Sequence, residues 1–253
     1  MLSSGTGDPV ILLHPFPLHA NYWAPQLAAA PLGWQLLATD LRGFGTQGAG
    51  DQPARSLDDY AEDVFAMMDA RGLKRAVIAG VSLGGYVAFA MLRQSPARIR
   101  ALVLANTRME ADVPEAIAAR TEMLRLIADE GSAGVARDMP KLLGAGTERA
   151  QPALVARVRA MIEDAPAEGM AAAVRAMMAR PDSRQALAAF RGAIQIISGD
   201  EDALTPPPLQ EAMRAAAPQA RLDVIAGAGH LASLEQPQAF NALLQRFLHS
   251  LTG

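Results

Sequence analysis

The sequence predicts an α/β protein with a central, mainly parallel sheet of about six strands, flanked by helices and interrupted by one helical insertion. Three observations carry this. Short apolar runs, continuous rather than alternating, recur at residues 10–13, 35–39, 76–81, 101–105, 194–197 and 222–225, and strands covered on both faces read this way. Between most of these runs lie segments with apolar residues at helical spacing, the rhythm of strand–helix–strand units. From about residue 107 to 192 that rhythm stops, because helical patterns at 116–128 and 154–162 occur there with no strand-like run between them.

The elements justify themselves in order. A helix over 60–71 places Ala61, Val64, Phe65 and Met68 on one face. The final helix is the clearest: Pro237 suits a first turn, and Phe240, Leu243, Leu244, Phe247 and Leu248 fall at i, i+3, i+4, i+7 and i+8. With 253 residues and 51% hydrophobic content, the chain buries enough for one domain with an insertion. We therefore divide it into a core, residues 1–106 and 193–253, and a helical cap, residues 107–192. The cap is electrically balanced, with 12 Arg and Lys against 12 Asp and Glu. It also holds seven of the 12 methionines: Met109, Met123, Met139, Met161, Met170, Met177 and Met178. A methionine-rich layer above a site forms an adaptable apolar pocket, although each methionine taken singly reads better as a gap-filler between helices.

Composition narrows the function. A formal charge of -3, with basic and acidic residues interspersed, creates no field for a phosphate backbone or an anionic bilayer, so neither nucleic acid nor membrane is expected as a partner. The absence of cysteine removes disulfides, thiolate metal sites and cysteine nucleophiles together. The N-terminus lacks a basic n-region and its apolar run ends at His14, so a cytoplasmic protein is expected.

The strongest chemical signal is Gly80-Val81-Ser82-Leu83-Gly84-Gly85, between the strand-like 76–79 and the helical pattern 86–93. A nucleophile elbow requires this context: a strand ends, the central residue is strained in a sharp turn, and a helix begins. Glycines at 80 and 84 permit close approach of strand and helix, and Ser82 projects its hydroxyl as candidate nucleophile. The Leu83 N–H, at a helix N-terminus, is placed to donate to a developing oxyanion.

His230 lies in the glycine-rich segment Ala226-Gly227-Ala228-Gly229-His230, directly after a strand-like run. Such a loop sets an imidazole over the C-terminal edge of the sheet, suited to take the serine proton and return it to a leaving group. His14, His19 and His249 are weaker candidates by position. Between serine and histidine stand Asp200, Glu201 and Asp202, again after a strand-like run, with Thr205 and Pro206 reading as N-cap and first residue of the next helix. A carboxylate there would fix the histidine tautomer, and spacing alone does not choose among the three. The loop His14-Pro15-Phe16-Pro17 offers the Phe16 N–H as a second oxyanion donor, since the flanking prolines have none. The histidines form no His-x-x-x-His pair, so no metal is expected.

In this chain order of Ser, Asp and His, the sequence resembles the α/β-hydrolase superfamily, over nearly the whole chain outside the cap. It looks most like small capped esterases, enol-lactonases and cofactor-free haloperoxidase or perhydrolase relatives. The resemblance implies a catalytic Ser82, His230 and Asp202, the acid following from the family's G-x-x-D pattern at Gly199 to Asp202. It also accounts for Asp40-Leu41-Arg42-Gly43-Phe44-Gly45 as a family loop. Two departures stand out. Pro15 replaces the usual glycine after His14, which raises the question of a cis bond before Pro15 or Pro17. Only nine residues precede the first strand, leaving no room for the N-terminal antiparallel hairpin and giving about six strands rather than eight. The pattern Gly43 to Gly48 also fits the dinucleotide motif G-x-G-x-x-G, but Gly50 and Pro53 stand where a phosphate-binding helix should open.

The implied activity is hydrolysis of a small carboxylic ester or lactone through an acyl-enzyme on Ser82, with no cofactor and with the substrate pocket under the cap helices 107–192. A serine rather than a carboxylate nucleophile argues against haloalkane dehalogenase and epoxide hydrolase chemistry. Thioesterase, carbon–carbon hydrolase and perhydrolase reactions use the same residues, and a ligand-sensing or regulatory protein on this fold is the reading from another class.

Overall fold

The structure, a computed structural model, describes residues 1–47, 53–137 and 139–252, without the side chains of residues 139 and 140. Residues 48–52, which include the last glycine of the G-x-G-x-x-G pattern and Gly50, lie outside the described residues, as does the Met139 side chain.

Seven strands form one sheet: β1 (Leu2–Gly5), β2 (Asp8–Leu13), β3 (Trp34–Thr39), β4 (Ala76–Val81), β5 (Ile99–Ala105), β6 (Ala193–Gly199) and β7 (Arg221–Ile225). Their order is β1-β3-β2-β4-β5-β6-β7. All neighbours are parallel except β1, which runs antiparallel to β3. The six runs read from the sequence are β2 to β7. β4 is buried at every position and β5 nearly so, which is why they read as unbroken apolar stretches.

β1 is a seventh strand, antiparallel to β3, beside the six read from the sequence. Four residues suffice, because β1 skips β2 and pairs with β3, Leu2 opposite Ala38 and Gly5 opposite Gln35. Its side chains are mostly exposed, so the strand is held by backbone hydrogen bonds and leaves no hydrophobic signature.

The order reverses between β2 and β4: the chain steps outward from β2 to β3, then returns to the other side of β2. At such a switch point the loops leaving neighbouring strands diverge and open a crevice at the carboxyl ends. The loops after β2 and β4, residues 14–17 and Ser82, flank that crevice. The chain between β5 and β6 contributes helices Pro114–Arg137, Pro152–Glu163, Ala167–Met178 and Arg184–Ala189, and no strand among its described residues. Apolar side chains join all of this into one buried cluster, in which Trp23, Trp34, Tyr22 and Phe44 are among the largest members. The helix Pro237–His249 covers the sheet with Phe240, Leu244, Phe247 and Leu248, and Pro237 takes its first turn as the sequence predicts.

Candidate active site

The turn after β4 forces the chain around in a single residue. Ser82 has φ 51° and ψ -113° and precedes the helix Leu83–Gln94, a conformation that non-glycine residues avoid. Surrounding contacts hold it there. The Ser82 N–H donates to the Ala105 carbonyl at 3.1 Å, its carbonyl accepts from the Tyr86 N–H at 3.1 Å, and the Thr107 hydroxyl donates to the same carbonyl at 2.9 Å. The flanking glycines are required by proximity. A Cβ on Gly84 would lie 2.1 Å from the Leu13 carbonyl oxygen, and one on Gly80 would lie 2.3 Å from the Gly84 oxygen.

Asp202, in the loop after β6, is 2% exposed. Its carboxylate accepts from the N–H groups of Leu204 and Thr205 at 2.9 and 3.0 Å, the Thr205 hydroxyl at 2.5 Å, and Asn106 Nδ2 at 2.9 Å. His230 Nδ1 lies 3.0 and 2.9 Å from the two carboxylate oxygens. Burial alone would raise the Asp202 pKa. The adjacent imidazole and the hydrogen bonds from His230, Thr205 and Asn106 outweigh it and hold the carboxyl well below its usual range. An ionised carboxylate only accepts, so Nδ1 carries the hydrogen and Nε2 presents its lone pair to the other side.

The competing acids fall away. Asp200 turns back to the Gly227 and Ala228 N–H groups, while the Asp202 carboxylate is the one that reaches His230. Thr205 corrects a smaller expectation. The next helix is Pro207–Ala216 with Pro206 before it, and the Thr205 hydroxyl serves Asp202 instead of capping the helix.

Ser82, His230, Thr205, Phe16 and Pro17 share the wall of one cavity of about 410 Å³. The Phe16–Pro17 bond is the cis one of the two candidates. Behind this loop His14 is wholly buried. Its Nε2 accepts from the Leu41 N–H at 2.9 Å while Nδ1 lies 3.0 Å from the Pro15 carbonyl. That pattern requires a neutral imidazole with hydrogen on Nδ1, and burial pushes its pKa down to about 4. Asp40 orders the neighbouring loop by accepting from the Ala20 and Thr46 N–H groups and the Thr46 hydroxyl.

The helices between β5 and β6 supply the opposite wall, including Met123, Met177 and Ile162. Met109, Met161 and Met170 are instead core residues, and Met178 packs against that core half-buried. Gly43 and Gly169 touch backbone to backbone: a Cβ on Gly169 would lie 2.1 Å from the Gly43 oxygen. Two polar residues that sequence reasoning missed shape the site. Asn106 links Asp202 to the Gly229 carbonyl. Glu235, 2% exposed, accepts from the N–H groups of Gly229, Leu231 and Gly144 at 3.0, 3.1 and 2.8 Å. Asn106 directly follows β5 on the site edge, a positional signal that could have singled it out. Glu235 carries no comparable signal.

Fold and site together define a hydrolase built on a doubly covered parallel sheet. The chain belongs to the α/β-hydrolase fold family, whose model matches residues 8–237. It is 28% identical over 244 residues to a protein of Cronobacter turicensis that bears the name of a carbamate hydrolase, RutD, covering 92% of this chain and 87% of that one. It is also 28% identical over 231 residues to 3-oxoadipate enol-lactonase 1 of Acinetobacter baylyi, covering 90% and 84%. Among solved structures, a malate-bound thermophilic esterase from Thermogutta terrifontis superposes with a TM-score of 0.93 at 35% identity, covering 99% of this chain and 92% of that one.

Proposed function

We propose that the protein hydrolyses small carboxylic esters or lactones through an acyl-enzyme on Ser82, beneath a cap formed by residues 107–192. The observation that carries this reading is the Asp202–His230 hydrogen-bonded pair opening onto the same cavity as a serine strained at φ 51°. The similarity to an esterase at 35% identity supports the ester class.

In the first half-reaction, His230 Nε2 takes the Ser82 proton as Oγ bonds to the substrate carbonyl carbon. The oxyanion is received by the N–H groups of Leu83 and Phe16. Leu83 opens a helix, so its N–H has no partner within the helix, and Phe16 lines the cavity beside Ser82. The imidazolium, stabilised by Asp202, gives its proton to the departing alkoxide. In the second half-reaction a water molecule loses a proton to His230 and attacks the acyl carbon. The serine leaves and is reprotonated, and the carboxylic acid departs. Each oxyanion donor contributes about 3 kcal/mol to the barrier reduction. A cavity of about 410 Å³ is at the small end of ligand pockets, which favours short esters and lactones.

The test is hydrolysis of para-nitrophenyl acetate and butyrate together with fluorophosphonate labelling. Both should vanish in Ser82→Ala. A variant that keeps its turnover and still labels would overturn the assignment.

A further inference from the structure

The cavity wall bears three cationic side chains, Arg108, Arg120 and Lys141, and no carboxylate among its described lining residues. Arg108 follows β5 by three residues, and Arg120 projects from the helix Pro114–Arg137. The acid that would neutralise them stands behind the wall. The Asp112 side chain is 0% exposed, lies 2.5 Å from Arg120 Nε and 2.7 Å from Arg180 Nη2, and is 3.8 Å from Arg108 Nη2. Burial would raise the Asp112 carboxyl, but the hydrogen bond from Arg180 and the charges of Arg120 and Arg180 prevail and lower it, so it remains a carboxylate. Arg184 and Glu110 form a further pair at 3.5 Å. Four guanidinium groups thus share two carboxylates.

Arg108 is the member held most loosely by Asp112, and the Tyr86 side chain is a further hydrogen-bond partner. Its contact with Asp112 is the longest of the three, and its Nε is buried without a hydrogen-bond partner. Surplus positive charge in a partly enclosed cavity is poorly compensated by solvent, and a guanidinium fork matches a carboxylate. Position supplies the rest. Arg108 meets the side chain of Tyr86, which lines the cavity together with Ser82. Arg108 and Ser82 line the same cavity, so an anionic group at Arg108 shares that space with a carbonyl carbon held at Ser82.

We propose that Arg108 and Arg120 form an anion subsite, and that the substrates are esters or lactones carrying a free carboxylate, such as half-esters of short dicarboxylic acids. This rests on the esterase reading of Ser82 and names its substrate class.

The test compares methyl hydrogen glutarate with the methyl ester of glutaramic acid, in which a neutral amide replaces the carboxylate, following methanol release at neutral pH. The wild-type protein should favour the anionic ester in kcat/KM by roughly 10- to 100-fold, the span of one charge-assisted hydrogen bond. Added salt should lower that ratio, and Arg108→Leu or Arg120→Leu should reduce it about tenfold or more. Equal or reversed preference in a protein that hydrolyses both esters through Ser82 overturns the subsite and leaves the esterase reading standing. If neither these esters nor para-nitrophenyl butyrate is turned over, the esterase reading fails, and calorimetric titration of the wild-type protein with glutarate then decides the subsite alone. Binding that Arg108→Leu weakens about tenfold supports it, and absence of binding overturns it.

Discussion

The backbone N–H of His230 donates to the carbonyl of Leu142 at 3.0 Å, tying the residue that bears the imidazole to the segment beside it that also lines the cavity. Glu235 reinforces the tie by gathering N–H groups on both sides, Gly144 from that segment and Gly229 and Leu231 from the histidine loop. The contacts that dock this segment also hold the histidine loop.

Glu235→Ala leaves three buried N–H groups without their acceptor. Each orphaned donor costs about 1–3 kcal/mol, so a loss of about 3 kcal/mol or more in urea denaturation is expected, with a fall in kcat exceeding any change in KM. Glu235→Gln keeps one carbonyl acceptor and should be the milder variant on both measures.

Asp202→Asn replaces an acceptor of four protein donors besides His230 with a group that itself donates. The imidazole then loses the partner that keeps hydrogen on Nδ1, and kcat should drop about 10³–10⁴-fold, by the tautomer argument for such triads. Steady-state kinetics on a para-nitrophenyl ester reads this directly, and a loss under tenfold would contradict the assigned role.

His14 gives a pH-dependent stability term of definite sign. Its folded pKa, about 4, lies below the ordinary histidine value of 6.5. The unfolded chain therefore takes up a proton first as pH falls. The stabilisation is complete above pH 6.5 and is lost progressively down to about 4, in total about 3 kcal/mol. Subtracting the denaturation profile of His14→Gln from that of the wild type should isolate this slope. Parallel profiles would show that His14 is not held neutral.

Gly84→Ala puts a methyl group 2.1 Å from the Leu13 carbonyl, and a backbone pair cannot yield as a side chain does. A destabilisation of about 3 kcal/mol or more is expected, with loss of activity. Gly146→Ala is the control: it lies in the short helix Ala145–Ala150 with open space around its Cβ position, and should be neutral or stabilising by up to about 1 kcal/mol. Thermal melts of the two variants make the comparison.

The elbow was legible because its glycines and flanking apolar runs are local, and each carries a steric meaning independent of the rest of the fold. Six strands were legible for a similar reason, since burial on both faces writes itself as continuous hydrophobicity. β1 was not, because an exposed edge strand made of Leu2, Ser3, Ser4 and Gly5 has nothing apolar to align. The choice among Asp200, Glu201 and Asp202 depends on which side chain turns inward, which residue spacing does not encode and the family pattern supplied. Glu235, Arg108 and Arg120 were silent because a charged residue close in sequence to its partner, as Arg108 is to Asp112 and Glu235 to Leu231, carries no local sign that it is turned inward. As isolated residues they read as ordinary surface charges.

At Gly43 and Gly169 the loop after β3 and the helix Ala167–Met178 meet with bare main chain on both sides. A joint without side chains has no compliant layer to absorb a tilt, so the main chain itself sets how near that helix lies to the loop. Widening the cavity would accordingly proceed by trimming Met123 or Met177, which line it, rather than by moving the helix away.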